Sequence, residues 1–97
     1  MSVTTIYLKR FSKISNVQEE EEVCYSLAQS NEVSGPVYGI EVSSVCNGKR
    51  ECDRVESITN VKETVLDIIQ YLYENSVKLE AFEDVVNDFI NKKVRSF

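Results

Sequence analysis

The sequence predicts an α+β fold, in which a four-stranded antiparallel meander sheet precedes two C-terminal helices packed on one sheet face (ββββαα). Two observations lead to this prediction. Residues 61–75 and 79–92 place apolar side chains at helical spacing, and residues 1–60 contain four strand-like stretches separated by turn signals. Consecutive strands with short links pair antiparallel, because parallel neighbours need long crossovers. Strands followed by helices define the α+β class.

The first two strands are predicted at about residues 3–11 and 22–29, joined by a connection over residues 12–18. Alternation along the first strand gives two sets of side chains: Ile6 with Leu8, and Val3 with Tyr7 and Phe11. Neither set is purely polar, so the sequence does not determine which set of side chains points toward the core. The glutamate run at residues 19–22 is interpreted as a solvated strand entrance that discourages aggregation, with a docking site for a basic partner as the alternative.

The third and fourth strands are predicted at about residues 37–46 and 50–58, after a turn over residues 31–36 that contains Ser34-Gly35-Pro36. Asn47-Gly48 between them is a strong hairpin signal, because both residues tolerate positive φ. A two-residue type I′ turn would set three cross-strand pairs: Cys46 with Lys49, Glu41 with Arg54, and Ile40 with Val55. A one-residue bulge would shift this register.

Asn60 is the expected N-cap of the first helix, and Glu63 completes a capping box. Apolar residues cover more than half of the circumference of this helix, so we expect it to lie between the sheet and the neighbouring helix. Asn75 and Ser76 supply its C-terminal stop. The second helix has one narrower apolar stripe, formed by Leu79, Phe82, Val85, Val86, Phe89 and Ile90.

Length and composition restrict the class of protein. Ninety-seven residues predict a single domain over residues 1–97, because two domains would each be too small for a stable core. The net charge of −5 disfavours nucleic acid and anionic membranes as partners. No apolar run approaches the roughly 18 residues of a membrane span, and no basic-then-apolar secretory signal opens the chain. We therefore expect an acidic cytoplasmic protein.

The sequence offers no catalytic, cofactor or metal signature. It has no histidine, which removes mechanisms and metal sites that depend on imidazole, and its three glycines form no phosphate-binding loop. Three cysteines without CxxC spacing, Cys24, Cys46 and Cys52, indicate reduced thiols. Most such thiols are small buried hydrophobic groups. The alternative is a thiol-based redox sensor.

Like charges recur along one face of the second helix, at Glu80, Asp84 and Asp88. Each such pair costs about 0.2–0.5 kcal/mol in an isolated helix, so the repeat needs an explanation. One explanation is a solubilising outer face. The functional explanation is an acidic strip that binds a basic partner surface.

Three stretches together resemble a family of short uncharacterised bacterial proteins, a domain of unknown function. They are Tyr38-Gly39-Ile40-Glu41-Val42, the helix that starts at Asn60, and Asp84-Val85-Val86-Asn87-Asp88-Phe89-Ile90. The resemblance covers roughly residues 37–91, and the family's frequent Ser-Pro helix start is replaced by Lys78-Leu79. It implies a cytoplasmic bacterial protein and transfers no catalytic residue.

Two function classes follow. The first is a small non-enzymatic protein-interaction or regulatory module with an unknown protein partner. One option for this class is a homodimer through the open sheet face or an edge strand. The second is a thiol-based redox sensor or small enzyme that uses Cys24, Cys46 or Cys52. Accessibility of the thiols in the native protein separates the two classes.

Overall fold

A computed structural model describes residues 2–11 and 20–94, with side chains up to Asn91. Its elements are β1 (Ser2–Phe11), β2 (Glu21–Glu32), β3 (Gly35–Cys46), β4 (Lys49–Thr59), α1 (Lys62–Glu74) and α2 (Leu79–Val94). The strands form one antiparallel sheet in the order β1-β2-β3-β4, so the predicted ββββαα arrangement is confirmed. The predicted connection over residues 12–18 lies outside the described residues.

The β3–β4 hairpin has the predicted register. Asn47 and Gly48 adopt φ values of 54° and 73°, as a type I′ turn requires. The three expected pairs form as predicted: Cys46 with Lys49, Glu41 with Arg54, and Ile40 with Val55. A dipeptide in which both residues tolerate positive φ therefore fixes the alignment of the two strands that it connects.

The β2–β3 turn is tighter than the predicted turn over residues 31–36. β2 continues to Glu32 and β3 begins at Gly35, so only Val33 and Ser34 form the turn. Pro36 pairs with Asn31 inside the sheet. The described pairing of β3 with β4 begins only at Tyr38, so β3 needs no N–H donor on its β4 side at Pro36.

A second irregularity, in β4, explains the glycine in the middle of β3. Between Ile40–Val55 and Tyr38–Thr59 the register shifts, so that three residues of β4 lie opposite Gly39. Ser57 within this bulge has a φ of 55°. A Cβ atom on Gly39 would lie 2.4 Å from the carbonyl oxygen of Val55 and 2.9 Å from Glu56 Cα. Only glycine lets β4 approach β3 this closely.

A bulge in β1 makes the predicted grouping of its side chains wrong. Thr5 pairs with Ser26 while Tyr7 pairs with Tyr25, so Ile6 is an extra residue. The extra residue inverts the alternation of faces. Val3 therefore shares a face with Leu8, whereas Tyr7 points to the opposite side of the sheet.

The core lies between the helices and one face of the sheet. It comprises Val23, Tyr25 and Leu27 of β2, Ile40 and Val42 of β3, Val65, Ile68, Ile69 and Leu72 of α1, and Phe82 and Val86 of α2. α1 contacts all four strands, whereas α2 packs on β3 and β4. The rings of Tyr71 and Phe89 meet edge to face between the helices, with centroids 4.8 Å apart.

The predicted capping box at the start of α1 is wrong. Val61 occupies the N-cap position, and no side chain caps the helix there. Instead, the backbone N–H of Val61 donates to Thr59 Oγ1 at 3.1 Å, and Val61 is 48% exposed. Because β4 ends at Thr59, this hydroxyl, one residue before Asn60, accepts the bond where the strand becomes a helix.

The predicted stop at Asn75 and Ser76 is confirmed and forms a Schellman motif. Ser76 has a φ of 53°, and its N–H donates to the Tyr73 carbonyl oxygen at 3.2 Å. The N–H of Val77 donates to the Leu72 carbonyl oxygen at 2.9 Å. Leu72 is fully buried and Val77 packs against the core, so an apolar contact accompanies the two hydrogen bonds.

Two strands attach to the loop that follows α1. Lys9 Nζ donates to the Tyr73 carbonyl oxygen at 2.8 Å and to Ser76 Oγ at 2.7 Å. This contact places a cation at the negative end of the helix dipole. The phenol of Tyr25 donates to the Val77 carbonyl oxygen at 2.8 Å. Burial raises the pKa of Tyr25 to about 12, so the phenol stays neutral and keeps its donor.

Gly39→Ala tests the close approach at the β4 bulge. We expect a loss of at least about 3 kcal/mol in the free energy of unfolding, the upper range for overpacking, because the new methyl group meets backbone atoms that cannot rotate away. Gly48→Ala is the control, since its Cβ meets nothing within 4 Å and carries only the strain of positive φ, about 1–2 kcal/mol. Urea unfolding measures both. Equal losses in the two variants would contradict the assigned role of Gly39.

Candidate interaction surface

One face of the sheet carries both helices, and the opposite face, called the open face here, is built from four rows of residues that cross the strands. The register assigns these rows as follows: Arg10, Glu22, Val45 and Arg50; Leu8, Cys24, Ser43 and Cys52; Thr5, Ser26, Glu41 and Arg54; and Val3, Ala28, Gly39 and Glu56. Along each strand, residues of the open face alternate with residues of the core side, because successive side chains point to opposite sides of the sheet.

The open face exposes three large apolar side chains. Val3, Leu8 and Val45 are 41%, 44% and 39% exposed, and they are half of the exposed large hydrophobic residues in the described chain. The middle strands contribute small side chains between them, and Ser26, Ala28 and Ser43 are buried. The surface is therefore a shallow trough with apolar side chains along its borders.

Arginines and glutamates pair along this face. Arg10 Nε lies 3.0 Å from Glu22 Oε2, beside the end of β1. Arg54 donates to Glu41 through Nε and Nη2, and its Nη1 lies 3.1 Å from Glu56 Oε1. The hydrogen bond that Arg54 donates to Glu41 is the largest cause that raises the pKa of Arg54. The Arg10–Glu22 pair is more exposed than the Arg54–Glu41 pair, and exposed ion pairs contribute little to stability.

Two shallow depressions open beside these charges. One is lined by Glu41, Cys52, Asp53, Arg54 and Glu56. The other is lined by Arg10, Glu20, Glu21, Glu22, Val45, Asn47 and Gly48. Both contain arginine and carboxylate groups together, which suits a polar partner of mixed charge. Within the described residues, no group of three or more Cys, Asp or Glu side chains is arranged to hold a metal ion.

The cysteines are more accessible than the sequence predicts. Cys52 is exposed, and Cys24 and Cys46 are partly exposed, so the expectation of buried thiols is wrong. Cys24 and Cys52 lie in the same row of the open face with Ser43 between them. Cys46 is on the other side of the sheet, at the end of β3. The register thus separates two open-face thiols from the third.

Glu21 lies on the helix side and ties the sheet to the interhelical loop. It accepts a hydrogen bond from Ser44 Oγ and an ion pair from Lys78 Nζ at 3.1 Å. The same ammonium group lies 4.4 Å from the ring centroid of Phe11. The Ser44 hydrogen bond, with a further contribution from Lys78, lowers the pKa of Glu21 although burial opposes this shift.

The solvated interpretation of the glutamate run therefore fails for Glu21, which is partly buried with structural partners. Glu22 forms a solvent-accessible pair with Arg10. Glu20 is exposed, as expected, while Glu19 lies outside the described residues. Residues at the start of a strand are positioned by the register, and here alternate carboxylates turn toward opposite sides of the sheet.

The predicted acidic strip is present on α2 but does not join the open face. Glu80, Asp84 and Asp88 are all exposed, and their spacing keeps them on one side of the helix. Because α2 packs on the opposite face of the sheet, the strip and the open face are separate surfaces. The sequence reasoning identified the strip and expected an open sheet face, but it did not assign the residues of that face. The alternation of Cys24, Ser26 and Ala28 with larger apolar residues in β2 was the available signal.

These features define a two-layer α+β protein with one uncovered sheet face. The chain belongs to a family of unknown function, DUF6514, whose model matches residues 5–92. The match extends well before the region of resemblance noted in the sequence, and reaches into β1. No curated protein and no solved structure matches the chain. Among the described residues, the structure contains no helix with the length and apolar character needed to span a membrane.

Ser44→Ala tests the Glu21 cluster through its pH dependence. Glu21 has a lower pKa in the folded chain than in the unfolded chain, so its contribution to folding is complete above the unfolded pKa and disappears as pH falls through the folded pKa. We expect the variant to lose about 1.5 kcal/mol at neutral pH, the lower range for a hydrogen bond to a charged group, and to lose less in acid. Urea unfolding at both pH values measures the difference.

Ser43→Ala is the matched control, because Ser43 is equally buried on the other side of β3 and points away from Glu21. Its effect on stability should not change between the two pH values. A Ser44→Ala variant with the same pH profile as the wild type would contradict the link between this hydroxyl and the Glu21 carboxylate.

Proposed function

We propose that this chain is a small non-enzymatic protein-interaction or regulatory module of the bacterial cytoplasm, and that it binds its partner through the open face. The observation that carries the proposal is the exposure of Val3, Leu8 and Val45 on one surface. Apolar side chains grouped on one surface and rimmed by polar residues mark interaction sites more often than isolated ones do. The surface is formed by one hydrogen-bonded sheet, so its backbone is preorganised for binding.

The arrangement of charges supports a protein partner. Apolar side chains lie beside arginine–glutamate pairs, and specific interfaces likewise combine apolar and polar contacts. The chain carries a net charge of −5, which opposes binding to phosphate backbones and anionic lipid surfaces. A folded protein of mixed charge is the partner class that this surface suits best.

Site-specific photocrosslinking tests this proposal. A photoreactive phenylalanine analogue in place of Leu8 should capture a discrete protein partner in cells, because Leu8 is exposed within the open face. The same analogue in place of Asp84, in the acidic strip, is the matched control and should capture nothing discrete. Mass spectrometry of the crosslinked product identifies the partner.

The other outcomes are equally informative. Capture from Asp84 alone would move the binding function to the strip of Glu80, Asp84 and Asp88. Charge reversal of those three residues would then abolish binding while the fold, followed by circular dichroism, is retained. Capture from neither position would contradict a function based on protein contacts at these surfaces.

The accessible thiol of Cys52 supports a second candidate function, a redox sensor. Thiols sense oxidants only where solvent reaches them, and Cys52 meets that condition better than the two partly exposed cysteines. Cys24 lies in the same row of the open face, two strands away. Oxidation there would alter the surface to which we assign binding.

Oxidant trapping tests the redox function. If Cys52 senses oxidants, mild hydrogen peroxide should convert its thiolate to a sulfenic acid, which a dimedone probe traps in the native protein. Cys52→Ser should remove the trapped product, whereas Cys46→Ser, which changes a thiol on the other side of the sheet, should not. A native protein whose thiols react with peroxide no faster than free cysteine would exclude the redox function.

A further inference from the structure

The charges of the four rows balance, although the chain as a whole is acidic. The four rows contain three arginines, Arg10, Arg50 and Arg54, and three glutamates, Glu22, Glu41 and Glu56. These rows therefore have no net formal charge, while the chain carries −5. Glu32, an exposed residue on the same side of β2, lies beyond the four rows.

Four rows with equal numbers of positive and negative charges can match the charges of the same rows in a second copy. A partner with a strong charge of one sign would bind best to a surface of the opposite sign, which the open face does not provide. A second copy presents the same three arginines and three glutamates, and a two-fold axis through the face lets arginines of one copy approach glutamates of the other. Of the partner classes, a second copy is the one that this charge pattern matches.

The size of the face is sufficient for weak association. Four strands about 4.8 Å apart and four rows about 6.8 Å apart give an area of about 500 Å² for each copy. Two such faces bury about 1,000 Å² in total, which is the lower limit of specific interfaces. The small side chains of Ser26, Ala28, Gly39 and Ser43 keep the centre shallow. Two sheets can therefore approach to the usual separation of about 10 Å.

The edges of the sheet are less suited to joining copies. β4 carries six charged residues among its eleven, and its bulge distorts the strand near Ser57. β1 is interrupted by the bulge at Ile6. Charges and bulges are the usual means by which edge strands avoid pairing. The exposed large apolar side chains of β1, Val3 and Leu8, project onto the open face and not along the strand edge.

We propose that two copies of this chain associate through their open faces, as a weak two-fold symmetric dimer in which Leu8 and Val45 enter the interface. This inference rests on the proposed binding role of the open face and assigns its partner. The dimer buries Cys24 and Cys52, which both lie in the second row, whereas Cys46 on the helix side stays outside the interface.

Sedimentation and thiol alkylation of the full-length chain test the dimer together. With rising protein concentration, the sedimenting mass should increase from 11.1 kDa toward twice that value. Over the same range, alkylation of Cys52 should slow in proportion to the dimerised fraction, while alkylation of Cys46 should not change. Association that leaves the rate at Cys52 unchanged would overturn the open-face arrangement and indicate edge pairing.

Leu8→Glu and Val61→Glu form a matched pair of variants. Leu8 lies on the open face and is 44% exposed; Val61 lies at the start of α1 and is 48% exposed, so both changes add one negative charge at a similarly exposed site. Leu8→Glu should remain at 11.1 kDa with a concentration-independent rate at Cys52, and Val61→Glu should associate like the wild type. Circular dichroism confirms that each variant is folded.

Two results would overturn the dimer. One is a wild-type chain that sediments at 11.1 kDa at every concentration, and the other is equal association of both variants. In the first case, photocrosslinking from Leu8 still decides the proposed function, because a product with a different protein supports binding by the open face without self-association. If only the dimer proposal fails, Leu8 is crosslinked to a different protein. If the binding function fails as well, Leu8 gives no discrete crosslinked product.

Discussion

The packing of α1 against the two central strands is the interaction on which the rest of the structure depends. Val65, Ile69 and Leu72 are fully buried against a sheet face that contributes Tyr25 and Ile40. Each of these aliphatic side chains contributes roughly 1.5–3 kcal/mol on burial. Because the described core lies on this single side of the sheet, the other side needs only to tolerate solvent. That division is what leaves a surface free for binding.

Polar contacts then fix the position of the helices along the sheet, which apolar packing alone would specify less sharply. The loop between α1 and α2 is held at three points, by Tyr25 on β2, by Lys9 on β1, and by the Lys78–Glu21 ion pair. All three lie at the same end of the sheet as the last turn of α1. A hydrogen bond tolerates little displacement, so these contacts define one alignment of the two layers.

Local chemistry was readable from the sequence, and geometry that depends on distant residues was not. Asn47-Gly48 fixed a register because the turn type follows from two residues, and the stripe on α2 followed from its spacing. The bulge at Ile6 carries no such signal, and it reversed the faces of β1. Since the open face depends on those faces, its apolar members could not be grouped from the sequence. Gly39, a glycine inside a strand, was the one indication of a close backbone approach.

The contact between Lys9 and the end of α1 has a consequence for synthesis of the chain. Its acceptors lie 64 and 67 residues later in the sequence. At about 5–20 residues per second, a ribosome needs on the order of 3–13 s to add them. During that interval the nascent chain holds its first strand without the helix end that anchors it. Lys9 and Arg10 lie near the end of that strand, and charged residues at such positions generally oppose the aggregation of exposed strands.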